Sequence, residues 1–528
     1  MNFQRNLLLV PLLILMAGCQ FRAGPGPGDQ NLLIFTADIR DQKQTIHNFG
    51  ASDAWSAQFV GENWPLEKRE QIADLLFSTE MDSAGHPEGI GLSAWRFNIG
   101  AGSARQGEDS GIDDPWRRSE SFLSADSTYN WSSQQGQQWF IDAAYLRGVR
   151  TFTGFVNSPP ILLTRNRMAF GDGGSRANIA PEQYDAFADY LANIATHFKE
   201  KGTPLTYISP INEPQWDWSE GNGQEGTPYQ NSEIAGVVSA LDKAIQEYGL
   251  DTKIEIPETA QIDFLYGGKL EGRSKQTEFF FGDESTVNNI PSLAHKMAGH
   301  SYFTTYPVYE MIDKRRQLWE DMQQIDPDLE YWMSEFCILG DVGDGLQGNG
   351  RDLGIDSGLY VARVMHYDLT VANASAWQWW LAVSPYDYKD GLVYIDHDMN
   401  DGRVYDSKIL WSMGNFSRFI RPGAIRVGMT RSDGLTPIEA ENGVFSSAYI
   451  HQESGQFTSI IINYGSLPRN VRLELDSIDI ENVSEFKRYI TSAGSSLERQ
   501  EPVDYGDPIS IPARSIVTLI TDIPDLQR

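Results

Sequence analysis

At 528 residues, with 41% hydrophobic and 22% charged side chains, the chain has the composition of a folded protein and exceeds the length at which a single hydrophobic core stops growing. One large domain and a smaller one are therefore expected. Seventy-two acidic side chains against 42 basic ones give a formal charge of -30, whose long-range field repels nucleic acid and anionic lipid surfaces and sets both aside as partners.

The chain begins with Arg5, an apolar run over 7–16 and then small residues, the order of a secretory signal, and the run is too short to span a bilayer. Leu15-Met16-Ala17-Gly18-Cys19 resembles the lipobox of bacterial lipoproteins. That resemblance implies removal of residues 1–18, acylation of Cys19 and export to a bacterial membrane, the outer one expected, at its cell-surface or periplasmic face. Membrane contact would run through the lipid alone; the alternative is a plain cleaved signal with an incidental cysteine. With Cys19 acylated, Cys337 has no partner within the chain and no disulfide framework is available. Residues 19–30 contain Gly24-Pro25-Gly26-Pro27-Gly28, which holds neither helix nor ladder and reads as a flexible tether.

Residues 31–48 alternate in part, with Leu33, Phe35 and Ala37 on one face, and predict a strand. Over 49–409, short apolar runs at 92–99, 150–155, 205–211, 253–256 and 331–336 alternate with helical patterns that include 66–77, 181–199 and 231–248. Repeated βα units of this length predict an α/β fold, a (β/α)₈ barrel. From 410 to 528 strand-like runs take over, among them 457–462, 471–475 and 515–520, separated by Gly, Pro, Asn and Asp. They predict a side β-sandwich, which the strand of 31–48 is placed to join, tying the two chain ends together.

Two of the barrel strands finish on a glutamate. Ile208-Ser209-Pro210-Ile211-Asn212-Glu213-Pro214 ends in a polar pair before a proline that cannot continue the ladder, and Glu330-Tyr331-Trp332-Met333-Ser334-Glu335-Phe336 ends likewise. Catalytic side chains collect at the carboxyl ends of barrel strands, and a carboxylate there is costly unless it is useful or paired. Either glutamate alone could be salt-bridged to a loop. Together they fit hydrolysis of a glycosidic bond, which needs one carboxyl group to protonate the leaving oxygen and a second at the anomeric centre, about 5–5.5 Å away in retaining enzymes.

With these motifs the chain resembles glycoside hydrolase family 30 of the clan A barrels, over nearly all its length after the tether. Asn212-Glu213-Pro214 is similar to the family's fourth-strand acid/base motif and Trp332-Met333-Ser334-Glu335-Phe336 to its seventh-strand nucleophile motif. His47-Asn48-Phe49-Gly50-Ala51-Ser52-Asp53-Ala54-Trp55 resembles the first strand, with Asn-Phe-Gly where Gly-Phe-Gly is usual. Arg96-Phe97-Asn98-Ile99-Gly100, Asn157-Ser158-Pro159-Pro160, His300-Ser301-Tyr302 and Ala376-Trp377-Gln378-Trp379-Trp380 resemble the second, third, sixth and eighth. The resemblance implies a barrel with a side sandwich built from both chain ends, Glu213 as acid/base, Glu335 as nucleophile, and Asn212 on the sugar's 2-hydroxyl. A nucleophile must stay ionised, which Arg96 and Tyr302 would secure.

Further substrate contacts are expected from Trp55 and Trp377, ahead of Trp216 and Trp379, although tryptophans at such positions are commonly core. Asp53 would bind a sugar hydroxyl or cap a loop, and His300 would orient Glu335 or a hydroxyl, or be a satisfied buried histidine. Cys337 faces the Glu335 side if the strand continues, and is expected to be an inert buried thiol. Gly171-Asp172-Gly173-Gly174 and Gly343-Asp344-Gly345 carry no phosphate-binding or metal-site spacing, so neither cofactor nor metal is expected. The partner is then a polysaccharide or oligosaccharide, and the protein a monomer. The 102–124 loop and the 379–387 segment look most like the family's endo-β-1,6-galactanases; β-1,6-glucan, glucuronoxylan and β-glucosides are the alternatives. An Arg105, Arg117, Arg118 cluster would favour an acidic glycan. A non-catalytic glycan-binding surface lipoprotein is the reading from another class, and both glutamates standing in their motifs argue against it.

Overall fold

The computed structural model describes residues 32–339, 346–476 and 483–523. The expected signal (1–18), Cys19, the tether (19–30) and Gly343-Asp344-Gly345 lie outside the described residues. Among the described residues no helix is long and apolar enough to cross a membrane.

Eight parallel strands close into a barrel: Asn48–Ser52, Ala94–Asn98, Thr151–Phe155, Tyr207–Ser209, Lys253–Thr259, Leu293–His300, Glu330–Glu335 and Ala376–Ser384. The eighth pairs with both the first and the seventh, which completes the ring. Helices Leu66–Phe77, Gln135–Leu146, Tyr184–Lys201, Asn231–Glu247, Val308–Ile325 and Ile355–Thr370 separate the strands. Tyr184–Lys201 shows why such segments are helical: Phe187, Leu191, Ile194, Ala195 and Phe198 are buried at three-to-four spacing, and Gly202 ends the helix in the left-handed region at φ 92°.

Period two decides which side chains enter the barrel. In the second strand Trp95 and Phe97 point out, their rings meeting Phe140 and Phe198 of the flanking helices, so Arg96 and Asn98 point in. In the eighth, Trp377 points out, its indole donating to Asp368 on the Ile355–Thr370 helix, while Gln378 points in and donates to Asn48. The interior floor is charged. Lys296 of the sixth strand is ion-paired with Glu255 of the fifth, and its ammonium lies 2.8 Å from the Trp332 ring centroid and 3.8 Å from that of Tyr207. Burial draws this ammonium down to about 8 and pushes the Glu255 carboxyl up to about 7.

The second body is one nine-stranded sheet. Leu33–Thr45 lies inside it, antiparallel to Ile425–Arg431 and parallel to Arg469–Asp476. The sheet curls over a core that includes Leu33, Phe35, Phe457, Leu473, Phe486 and Leu519, and its two ends meet where the Leu475 N–H donates to the Tyr505 hydroxyl at 3.0 Å. Leu33–Thr45 and the strands from Ile425 to Asp522 thus share the side domain, as expected. The boundary expected at 409 falls inside a helix, Lys408–Ser417, which touches both bodies: Ser417 donates to the Ile90 carbonyl, and Asn415 donates to Thr491 and accepts from Thr518. Two short strands, Gly391–Ile395 and Val404–Asp406, also extend the barrel sheet beyond its eighth strand.

Replacing Lys296 by Met strands the Glu255 carboxylate in the barrel floor, a change expected to cost about 3–5 kcal/mol at pH 8 and less at pH 5, where the carboxyl takes up a proton. Guanidinium unfolding of Lys296→Met and of Lys296→Met with Glu255→Gln checks this; a double variant as unstable as the single one at pH 8 would contradict it.

Candidate active site

Asn212 and Glu213 follow the fourth strand, Glu335 ends the seventh, His300 ends the sixth, and Arg96 projects inward from the second. All converge at the carboxyl end of the barrel. They open into a cleft of about 290 Å³ lined by Asn212, Glu213, Trp216, Tyr302, Phe303, Glu335 and Trp380. Gln224, Leu339 and Trp380 also line a second hollow of about 470 Å³, which contains Trp55, Arg117, Cys337, Tyr386 and Asp390.

Glu335 receives two donors: Arg96 Nη1 reaches Oε2 at 2.8 Å and the Tyr302 hydroxyl reaches Oε1 at 3.0 Å. His300 lies between carboxylates, with Nδ1 3.1 Å from Glu213 Oε1 and 3.6 Å from Glu335 Oε1, and Nε2 2.9 Å from Glu258 Oε2. Burial opposes a charge on this ring, but Glu335, Glu213 and Glu258 outweigh it and push its pKa up to about 10. The imidazolium therefore donates from both nitrogens. Burial raises the Glu213 carboxyl above its ordinary range, against the hydrogen bond and charge of His300, with the charge on Glu335 adding to the rise. Glu258 goes the other way: the Arg96 and His300 charges overcome its burial and hold it well below the usual range.

One ligand atom each of Glu213, His300 and Glu335 lie within 4.8 Å of one another. With its ring charged, His300 meets the two carboxyl groups as a donor. The trio is arranged to hold and move a proton, and one oxygen of each carboxyl group lies within 4.8 Å of the other, which fits the short separation used in double displacement.

The backbone under Glu213 is strained. It sits at φ 44°, in the left-handed region that non-glycine residues rarely adopt. Its N–H donates to the Glu258 carbonyl at 2.8 Å, and its own carbonyl accepts the Trp218 indole N–H at 3.1 Å. Gly226 permits this: a Cβ there would stand 2.3 Å from the Trp218 ring.

The structure brings together Glu213, Glu335, Asn212, Arg96, His300 and Tyr302. Asn212 Oδ1 is buried with no protein partner. His300 serves Glu213 and Glu258 more directly than Glu335. Trp55 is 4% exposed, so it walls the second hollow edge-on to Trp380 rather than lying open. Several expectations are corrected. Trp377 is fully buried on the outer face of its strand, packed against Phe336, so it cannot stack on a sugar; half-buried Trp380, on the cleft, holds that position. Asp53 is buried, its Oδ1 accepting from the Asn98 N–H at 2.8 Å and from Gln137 at 3.0 Å, so it ties the end of the second strand instead of meeting a hydroxyl. Trp379 is also core. Cys337 faces the Glu335 side, 3.9 Å from the Tyr302 hydroxyl, and burial pushes its thiol up. Arg105, Arg117 and Arg118 do not gather on the cleft: Arg105 and Arg118 bond backbone carbonyls, and Arg117 alone lines the second hollow.

Sequence reasoning passed over Glu258. It is the penultimate residue of the fifth strand, and the rule that singled out the other two glutamates could have found it, had Pro257 not broken the apolar run. Without its carboxylate, Glu258→Gln should lower the His300 pKa from about 10 by about one pH unit or more. Because the folded value is raised, the stability His300 contributes is complete below its unfolded pKa of about 6.5 and is lost as pH climbs through the folded one; the variant loses it nearer neutrality. Titration of the His300 ring by NMR measures this, and an unmoved midpoint would remove Glu258 as its positioning partner.

The comparisons with known proteins agree with this geometry. The family model described as O-Glycosyl hydrolase family 30 matches residues 33–394. An endo-beta-1,6-galactanase of Hypocrea rufa is 24% identical over 379 residues, 69% of this chain and 70% of that protein. A glucuronoxylanase of Bacillus subtilis (strain 168) is 24% identical over 388 residues, 72% of this chain and 76% of that protein. The crystal structure of a conserved exported protein from Bacteroides fragilis superimposes with a TM-score of 0.86 at 34% identity, covering 92% of this chain and all of that one. Since the matched span holds all eight barrel strands and the strand that enters the sandwich, the chain belongs to glycoside hydrolase family 30 and is a retaining glycosidase.

Proposed function

We propose that the protein is an endo-β-1,6-galactanase acting on arabinogalactan side chains, with Glu213 as acid/base and Glu335 as nucleophile. The observation that carries the two roles is the asymmetry of the carboxylates: Glu335 takes a guanidinium and a phenol donor, while burial favours a proton on Glu213. In the first step a Glu335 oxygen bonds to the anomeric carbon as the glycosidic C–O bond breaks, and the Glu213 proton goes to the departing oxygen. Forming the ester removes the charge on Glu335, and with it one cause of the high proton affinity of Glu213. Glu213 then takes a proton from water, whose oxygen attacks the anomeric carbon and releases Glu335. Asn212 lines the cleft beside Glu213, where its side-chain amide is placed to meet the 2-hydroxyl.

Two features support the choice of glycan. The curated galactanase is among the relatives, and among the described residues the cleft beside the glutamates is lined by aromatic and amide side chains. The cleft that contains the pair adjoins a second hollow through Gln224, Leu339 and Trp380, which suits binding of several sugars of one chain. Glucuronoxylan is the second reading, because Arg117 in the neighbouring hollow could meet a uronate; it already lies over the Trp55 and Tyr386 rings, 3.9 Å from Asp114.

Glu335→Gln should lower kcat by about a thousandfold or more while leaving glycan binding in place; retained turnover would remove its role as nucleophile. Glu213→Ala should slow polysaccharide cleavage by about 10²–10⁴-fold and aryl glycosides far less, because a good leaving group needs no proton. Equal losses on both would count against the acid. Incubation with de-arabinosylated arabinogalactan, β-1,6-glucan and glucuronoxylan decides the substrate: short β-1,6-galacto-oligosaccharides from the first alone are expected, and xylo-oligosaccharides from the last would replace the reading.

A further inference from the structure

Phe303 stands where an apolar ring has no reason to be unless something covers it. It is 48% exposed, on the rim of the cleft that contains Glu213, and its backbone occupies the left-handed region at φ 55°. A bulky side chain in that region costs roughly 1–3 kcal/mol and persists only when its surroundings enforce it. They do here. Buried Arg315 donates to the Thr304 carbonyl at 2.8 Å and to the Ser301 hydroxyl at 3.1 Å, while its Nε is ion-paired with buried Asp368 at 2.7 Å. A fully buried ion pair thus clamps the loop on both sides of an exposed phenylalanine.

The second wall is held in the same manner. Half-buried Trp216 meets Phe303 edge to face, with ring centroids 6.2 Å apart at 90°, and its own N–H donates to the Glu213 carbonyl. Its neighbours Gln215 and Asp217 are both bound by Arg273, at 2.8 Å and 2.7 Å. Two rings at right angles form a corner with apolar faces and a polar edge supplied by Asn222 and Gln224. A pyranose has this mixture of C–H faces and hydroxyl edges, and rigid aromatic contacts order little on binding.

The corner also has a polarity. Trp216 is three residues beyond Glu213, the group that must reach the leaving oxygen, and its N–H bonds the Glu213 carbonyl, whereas the other hollow shares only Gln224, Leu339 and Trp380 with the cleft and includes neither glutamate. The sugar joined to the leaving oxygen therefore extends towards Trp216 and Phe303. We propose that Trp216 and Phe303 form the first leaving-side sugar subsite, which grips the pyranose expelled in the first step and also receives an acceptor sugar in its place during the second. The site rests on the galactanase reading only for the identity of that sugar.

Phe303→Gly tests this directly, because it removes the ring and relieves the left-handed strain at once. Its melting temperature should be equal to or above that of the unaltered protein. kcat/KM on β-1,6-galactan should fall about tenfold, the worth of one aromatic contact. Hydrolysis of β-1,6-galactobiosyl fluoride, whose leaving group fills no leaving-side subsite, should fall by much less. Transfer to added β-1,6-galactobiose should fall relative to hydrolysis, and Phe303→Tyr should restore both polymer cleavage and transfer. Equal losses on polymer and fluoride, or an unaffected polymer rate, would overturn the subsite. If the unaltered protein cleaves glucuronoxylan or β-1,6-glucan instead, the galactan reading falls, and the same comparison on that glycan and its glycosyl fluoride decides the subsite.

Discussion

Arg96 is fully buried, and a bare guanidinium in a barrel interior is prohibitive, so everything around it is arranged to answer its charge. It reaches Glu335 at 2.8 Å and Glu258 at 3.4 Å. Glu335, Glu213 and Glu258 together hold His300 in its charged form, and His300 donates to Glu213 and Glu258. Three carboxyl groups thus face two cations in one enclosed volume, leaving the cluster one proton short of neutral. The carboxyl group that touches neither Arg96 nor Tyr302 is Glu213, and burial raises its affinity for that proton. The acid of the proposed reaction follows from charge balance as much as from its motif.

That cluster stands on a floor neutral by its own means, the Lys296–Glu255 pair under the Tyr207 and Trp332 rings. Beneath the floor the chain leaves the sandwich and enters the barrel within two residues. The Ile46 N–H donates to Ala424 and the His47 N–H to Ser375, so the N-terminal ends of the first and eighth strands are clamped to the sandwich side of the molecule. At the opposite end Glu213, Glu258 and Phe303 all take left-handed backbone. A barrel fixed at one end can tolerate unfavourable backbone at the other, which is where function needs side chains aimed against local preference.

Most of this was legible in the chain. The Leu66–Phe77 helix carries its apolar stripe in one segment, and the two catalytic-type glutamates announce themselves as polar residues ending apolar strands. Leu33, Phe35 and Ala37 alternate because one face of their strand meets the sandwich core. Other features were hidden for physical reasons. In Lys408–Ser417 every residue after the first is buried, so the helix has no polar stripe and its period cannot be read; a boundary placed by loss of period falls inside it. Alternation places Trp377 and Trp379 on one face and Trp380 on the other, but does not say which face turns inward. Only closure of the barrel resolves that choice, because the Ile355–Thr370 helix covers the outer face.

Trp377, unsuited to bind a sugar, has a place in the cleft's construction nonetheless. Its indole donates to Asp368 Oδ2 at 2.9 Å, while Asp368 Oδ1 takes Arg315, the side chain that clamps the loop of Phe303. Three residues along the same strand, Trp380 lines the cleft opposite that loop. One buried carboxylate therefore sets both the strand that carries Trp380 and the loop that carries Phe303. The relative position of these two walls is fixed by a pair with no exposure to solvent, so neither wall can shift without uncovering a charge. A cleft built this way selects its sugars by fit to a preformed shape, with little ordering left to be done when the glycan binds.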